Sequence, residues 1–303
     1  MTIAIRLPVV QMAFTVWRRV RYALWWMSRS KAAITGSIIV GTVVIVAVIG
    51  PSISPHPYQE INLSMRILPP FWMEGGSVHY PLGTDDLGRC LLSRIIYSFR
   101  VALIIGGVVT VLAATVGVLL GLIAGYFGGI ADAIIMRLVD VMWSFPYVIL
   151  AIAVMAILGT TFPNLILVLA VGNWVSYARV VRSQTLSVKQ QEFITAAVSV
   201  GMRPSRIIFR HILPNVMAPV LVLSSFLLAG ILLMEASLSF VGLGVQPPTP
   251  SLGQMISSGR SFIYNAWWIV TFPGLALMLL VLGVNQLGDG LRDLLDPRLK
   301  GVL

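Results

Sequence analysis

The chain has 303 residues, of which 57% are hydrophobic and only 11% charged, and its mean hydropathy is +0.92. These fractions lie far from those of soluble domains and indicate a polytopic membrane protein. The formal charge of +10 sits in short clusters beside apolar runs rather than in a basic domain, which argues against nucleic-acid binding, and the single cysteine, Cys90, excludes an intramolecular disulfide framework or a multi-cysteine metal site.

A helix needs about 20 mostly apolar residues to cross about 30 Å of hydrocarbon, and six stretches qualify or nearly do. Residues 1–31 form an N-terminal segment in which Phe14, Trp17, Val20 and Leu24 recur at helical spacing beside Arg18, Arg19 and Arg21. That segment reads either as a helix lying on the membrane surface or as a plain charged flank. The first span is predicted at 32–50. It is not a signal peptide, because the basic region before it is too long and Pro51 stands where a small-residue cleavage site is needed. The connection 51–100 opens with Pro51, Pro55, Pro57, Pro69 and Pro70, then Gly75 and Gly76, which rule out a continuous helix. After Asp85, residues Leu87, Leu91, Ile95 and Phe99 make one apolar face with Arg89 and Arg94 elsewhere, the pattern of an interfacial helix leading into the second span.

The remaining spans are predicted at 101–125, 141–158, 164–177, 216–234 and 267–288. The fourth is short and should run on toward Val181, with Arg179 and Arg182 marking the headgroups. In the second, Gly117, Gly121 and Gly125 form a stripe that lets helix backbones approach closely, against a helix the sequence does not identify. A loop around 246–260 contains Pro247, Pro248, Pro250 and Gly253 and is expected to be irregular. Together with 51–100 it would form a mouth where a delivery protein docks. Residues 101–288 thus form a five-helix core and 289–303 a tail.

Lys and Arg concentrate in the loops that remain cytoplasmic. With the N-terminus inside, the inner segments hold 16 of the 21 and the outer segments five. Both termini are therefore expected in the cytoplasm.

Within the loop 183–213, Phe193, Ala196, Ala197 and Val200 recur at i, i+3, i+4 and i+7, preceded by Glu192. Gly201 should end this helix, Pro204 prevents its continuation, and a second helical run from Ser205 to Leu213 returns the chain to the membrane before Pro214. The short helix either enters a partner's groove or is a plain amphipathic connector. Polar groups within spans are costly and invite a functional reading; Asn173, Glu235, Asn285 and Gln286 are the candidates. Glu235 either faces a cavity or gate or reaches water. No catalytic site emerges. A phosphate-binding loop needs Gly-x-x-x-x-Gly-Lys-[Ser/Thr], and Lys31, Lys189 and Lys300 lie in no such setting. His56 and His79 are expected on the opposite side from His211, and Gly288-Asp289 lacks the first glycine of an intramembrane aspartyl protease motif.

Thr195-Ala196-Ala197, three residues, Gly201, then Leu213-Pro214 resembles the coupling loop of ABC importer permeases, with Thr195 in place of the family's Glu and His211 in place of an apolar residue. Tyr80-Pro-Leu-Gly-Thr-Asp-Asp-Leu-Gly-Arg89 and Leu92-Ser-Arg94 are similar to the dipeptide, oligopeptide and nickel permease family, second subunit type. So are Glu235-Ala-Ser-Leu-Ser-Phe-Val-Gly-Leu-Gly244, Gln246-Pro-Pro-Thr-Pro250, Leu287-Gly-Asp-Gly-Leu-Arg-Asp293 and Asp296-Pro-Arg298, although Cys90 and Leu252 depart from the usual Asp and Trp. The resemblance implies an all-α, six-helix type I ABC importer permease in the bacterial inner membrane, importing dipeptides, short peptides, nickel or other small peptide-like solutes. It implies that Glu192, Phe193, Thr195, Ala196, Ala197, Val200, Gly201, Leu213 and Pro214 couple to an ATPase. It further implies a homologous second permease, two ATP-binding cassette subunits and an extracytoplasmic binding protein, with ATP and Mg bound only by the cassettes. A secondary transporter should instead show internal repeats and ionisable residues in broken midplane helices, and the sequence displays neither.

The charge asymmetry makes a direct test. In a Cys90→Ser background, a cysteine at Ser77 should react with a membrane-impermeant maleimide in cells with a permeabilised outer membrane, and one at Ser205 should not. The reverse pattern overturns the orientation.

Overall fold

The computed structural model describes residues 30–295, and the N-terminal amphipathic stretch and the tail from Asp296 lie outside that range. Among the described residues the fold is helical, with only an isolated bridge between Thr84 and Cys90. The helices are α1 (Lys31–Ile53), α2 (Leu91–Phe127), α3 (Gly129–Trp143), α4 (Tyr147–Leu158), α5 (Phe162–Lys189), α6 (Glu192–Ser199), α7 (Pro204–Ile207), α8 (Leu213–Phe240), α9 (Leu252–Gly259) and α10 (Trp268–Leu295). Among the described residues five helical runs are long and apolar enough to span a bilayer, and the number is six if the bent pair α3 and α4 counts as one span.

Four expectations are corrected. The stretch around 246–260 is not irregular throughout, since Leu252–Gly259 forms α9, capped by the Ser251 hydroxyl accepting from the Gln254 amide. The interfacial helix and the second span are one unbroken helix of 37 residues. Its first turns do not lie on lipid: Leu91 and Ile95 are buried against Leu252, Met255 and Trp268. The third span is not a straight helix over 141–158, because the chain turns by 88° between α3 and α4. Pro146 forces this, since the residue before a proline is driven out of the α region, and the 12 residues of α4 reach only about 18 Å at 1.5 Å per residue. A broken helix is therefore present, although the break at Ser144, Phe145 and Pro146 carries no ionisable side chain. Finally, the run from Ser205 does not stop before Pro214. It continues through a π-turn, Ile208–Ile212, directly into α8, with the Leu213 amide donating to the Ile208 carbonyl. The wider turn lets a helix continue past a proline, which has no N–H to donate and crowds the preceding turn.

The largest helix contact is between α2 and α5, and it identifies the partner of the glycine stripe. A Cβ on Gly117 would lie 2.4 Å from the Trp174 carbonyl oxygen, on Gly121 2.7 Å from that of Ala178, and on Gly125 2.6 Å from the Thr185 Cβ. Helices in lipid gain little from burying apolar surface against each other, so such close backbone approach supplies the packing that joins them. At the same seam Tyr177 is fully buried and donates to the Ser224 hydroxyl of α8 at 3.0 Å. On the other flank α1 packs on α10, where a Cβ at Gly36 would lie 2.4 Å from the Leu287 nitrogen.

Gly121→Ala should lower the thermal unfolding midpoint of the purified chain, since overpacking costs about 1–3 kcal/mol. Gly107→Ala in the same helix, where a Cβ meets nothing within 4 Å, should be neutral or slightly stabilising. Equal effects of the two would contradict the α2–α5 seam.

Candidate functional site

At one end of the bundle α5 passes into α6 through Gln190 and Gln191. Three interactions fix that exit. The Arg182 guanidinium grips Asp132 of α3 with two nitrogens, its Nη2 donating to Oδ2 at 2.6 Å. Arg179 donates to Asp140 at 2.8 Å while its guanidinium lies 3.9 Å from the centre of the Trp143 ring. Lys189 donates to the Tyr126 carbonyl at 2.6 Å, in the last turn of α2, where the helix dipole favours a cation. Arg179 and Arg182, the pair expected to mark headgroups, tie α5 to α3. The signal in the sequence was the pair of acidic residues, Asp132 and Asp140, in a mostly apolar helix whose one basic residue is Arg137.

The loop helix α6 ends in a Schellman motif: the Gly201 amide donates to the Val198 carbonyl at 2.9 Å and the Met202 amide to that of Ala197 at 3.1 Å. The reversal needs a left-handed residue, and Gly201 supplies it at φ +77°. The apolar face expected for docking divides in two. Ala197 and Ile194 are buried in this chain's own core with Ile207, Ile208 and Ile212. Phe193, Thr195, Ala196 and Val200 are exposed, Val200 at 86%. Glu192 opens the helix and is also exposed, Leu213 packs on the core, and Pro214 faces outward at the start of α8. Ile194 was missed because the spacing selected Ala197 and its exposed neighbours as one stripe.

The polar residues within spans are not brought together into one site. Glu235 is 3% exposed and buried near the far end of α8. Its Oε1 accepts from Ser239 at 2.6 Å; the Ser239 oxygen in turn accepts from Ser251 and from the Val245 amide, both at 3.2 Å. Glu235 thus anchors the loop 241–251 to α8. Asn173 donates to the Leu169 carbonyl of its own helix at 2.8 Å. Asn285 is half-buried in α10 beside Gln286, which accepts from Thr35 of α1 at 2.5 Å. A cleft of about 550 Å³ opens instead beside the start of α8, lined by Gln184, Asn215, Pro219, Phe226 and Arg292 among others.

Beyond the far end of the bundle the loop 54–90 is built on buried polar groups. Asp85 accepts from the amides of Leu87 and Arg89 at 2.9 Å and from the Arg89 Nε at 2.7 Å, and it faces buried Arg94 at 3.6 Å. Thr84 joins the Leu68 amide to the Met65 carbonyl. The sequence had set Arg94 apart from the apolar face of its helix, and it is buried because Asp85 is there to meet it. Among the described residues no group of three His, Cys, Asp or Glu side chains is placed to hold a metal ion.

Comparison with known proteins agrees with this arrangement. The family described as binding-protein-dependent transport system inner membrane component matches residues 117–301. The N-terminal TM domain of oligopeptide transport permease C matches residues 15–70. A dipeptide transport system permease protein of Alkalihalophilus pseudofirmus is 42% identical over 288 residues, covering 95% of this chain and 92% of that protein. One of Escherichia coli is 43% identical over 275 residues, covering 91% and 92%. Among solved structures, inward-facing MetNI methionine ABC transporter matches with a TM-score of 0.52 at 22% identity, over 67% of this chain and 94% of that one, and supports the type I permease fold. The chain is a multi-pass permease of the bacterial inner membrane and belongs to the family of inner-membrane components of binding-protein-dependent transport systems.

Proposed function

We propose that this permease forms half of a translocation pathway for dipeptides or short peptides and is driven by ATP hydrolysed on separate cassette subunits. The substrate class follows the printed names of the relatives at about 40% identity over nearly the whole chain. A homologous second permease completes the pathway, two cassette subunits bind ATP and Mg, and an extracytoplasmic binding protein delivers the peptide. In this reading both termini and α6 lie in the cytoplasm, and the loops 54–90 and 241–267 face outward.

The observation that carries the reading is the form of α6: a rigidly capped helix of eight residues whose buried side fastens it to this chain and whose exposed side sets Phe193, Ala196, Val198 and Val200 among the polar Glu192, Thr195 and Ser199. Such a face fits a groove in a partner. Closure of the cassette dimer would move α6, and α5 and α8, joined to it on either side, would carry that displacement into the spans. Arg182 and Asp132 would extend the displacement to the bent pair α3 and α4.

Val200→Asp tests the docking face without disturbing the chain, because Val200 has almost no internal contacts to lose. An unpaired charge desolvated at an interface costs several kcal/mol, and each 1.4 kcal/mol is tenfold in affinity. Cassette binding should therefore weaken by about two orders of magnitude, with permease abundance unchanged and uptake lost. Ala197→Asp should instead destabilise the permease itself, since it charges the core. Wild-type cassette co-purification and uptake in Val200→Asp would reduce α6 to a connector. For the α3–α5 link, Asp132→Asn should raise the ATP consumed per peptide imported, and the swap Asp132→Arg with Arg182→Asp should recover part of the coupling. An unchanged ratio in Asp132→Asn would assign the pair to folding alone.

A further inference from the structure

The loop 54–90 carries an aromatic tip that neither the coupling path nor the buried Asp85 network uses. Successive turns, with the Met73 amide donating to the Pro70 carbonyl and the Gly76 amide to the Met73 carbonyl, each at 2.9 Å, present Phe71 and Trp72 at the tip. Gly76 is pressed so closely on Pro70 that a Cβ would lie 2.2 Å from its carbonyl oxygen, which holds the tip in one shape. Phe71 and Trp72 are each 52% exposed. The Trp72 ring meets the Phe272 ring edge to face at 5.9 Å, Trp267 lies 5.8 Å from the same ring, and Phe71 is 5.1 Å from Trp72.

Phe272 belongs to α10, four residues beyond Trp268, the first residue of that spanning helix, so it sits about 6 Å along the axis. Below it, Leu275, Leu279 and Leu282 continue an exposed apolar stripe down the same helix. Trp72 is therefore set against the flank of a spanning helix, level with the tryptophans at its end, rather than on the crown of the loop. Tryptophan prefers that depth, where the ring meets acyl chains and the indole N–H meets water or headgroups. Glu74, two residues on, is exposed, and its carboxylate fits a tip at headgroup level rather than one sunk into hydrocarbon.

We infer that Phe71 and Trp72 form a membrane anchor: the loop between α1 and α2 folds back to seat its aromatic tip in the headgroup and acyl boundary of the bilayer. The partner of this surface is lipid, in contrast to a delivery protein. The anchor would hold the loop, and with it the Asp85 network, at a fixed height relative to the spans.

Electron paramagnetic resonance tests the depth directly. The permease, purified with its native partner subunits, is reconstituted in nanodiscs of phosphatidylethanolamine and phosphatidylglycerol, with Cys90→Ser and a nitroxide on Trp72→Cys. Power saturation should show greater access to oxygen than to an aqueous nickel chelate. A label on Val78→Cys, in the same loop and 80% exposed, should show the opposite order. A label on Phe71→Cys repeats the measurement with the Trp72 contact to Phe272 kept. Nickel access at positions 71 and 72 equal to that at 78 overturns the inference. So does a label that is mobile and water-accessible until the binding protein is added, which would assign the tip to protein docking.

Discussion

The close approach of α2 and α5 is the constraint on which the remaining geometry depends. Three glycines a turn apart bring the backbones together, and no side chain larger than hydrogen fits between Gly121 and the Ala178 carbonyl. Because lipid is as apolar as the helices themselves, association within the bilayer relies on such packing and on a few polar contacts. Once the seam is closed, Arg179 and Arg182 reach the aspartates of α3, Lys189 reaches the last turn of α2, and Tyr177 reaches α8. The position and direction of α6 follow from these contacts.

The loop that holds α6 shows how a small helix can be both fixed and available. Its C-terminus is closed by Gly201, and its return to the membrane runs through a π-turn without a break. Ile194 and Ala197 fasten one side to the isoleucines of that return, so the exposed side is presented by a rigid base. In the proposed mechanism, a displacement imposed on such a helix would have few ways to dissipate locally and would pass to α5 and α8. The aromatic tip near the other end of the bundle follows the same logic in reverse, since there it is a loop that is pinned, from one side by its own turns and from the other by Phe272 of a spanning helix.

Much of this was legible in the sequence. Apolar length located α1, α2, α5, α8 and α10, and the i, i+3, i+4 spacing located α6, because both signals are local. Boundaries were not, since α5 and α8 extend well past their apolar cores and their ends are set by tertiary contacts. The stretch from Leu87 to Phe99 was read as lying on lipid because amphipathic patterning reports that a face is buried without reporting what buries it. Ala197 was assigned to the docking face for the same reason. The ion pairs between α3 and α5 were hidden because Asp132 and Arg182 are 50 residues apart, and only the closed glycine seam makes them neighbours. Glu235 was singled out as costly in a membrane, and its cost is met by serines four and sixteen residues away, a pairing that periodicity does not reveal.

The central claim is that energy enters this permease through the exposed side of α6, and contact mapping in the assembled transporter addresses it most directly. A photo-reactive amino acid at position 200, introduced into the full complex in membranes, should form an adduct with a cassette subunit, and one at position 194 should crosslink only within the permease. Adducts to a cassette from position 194 but not from 200, or from neither, would contradict the account.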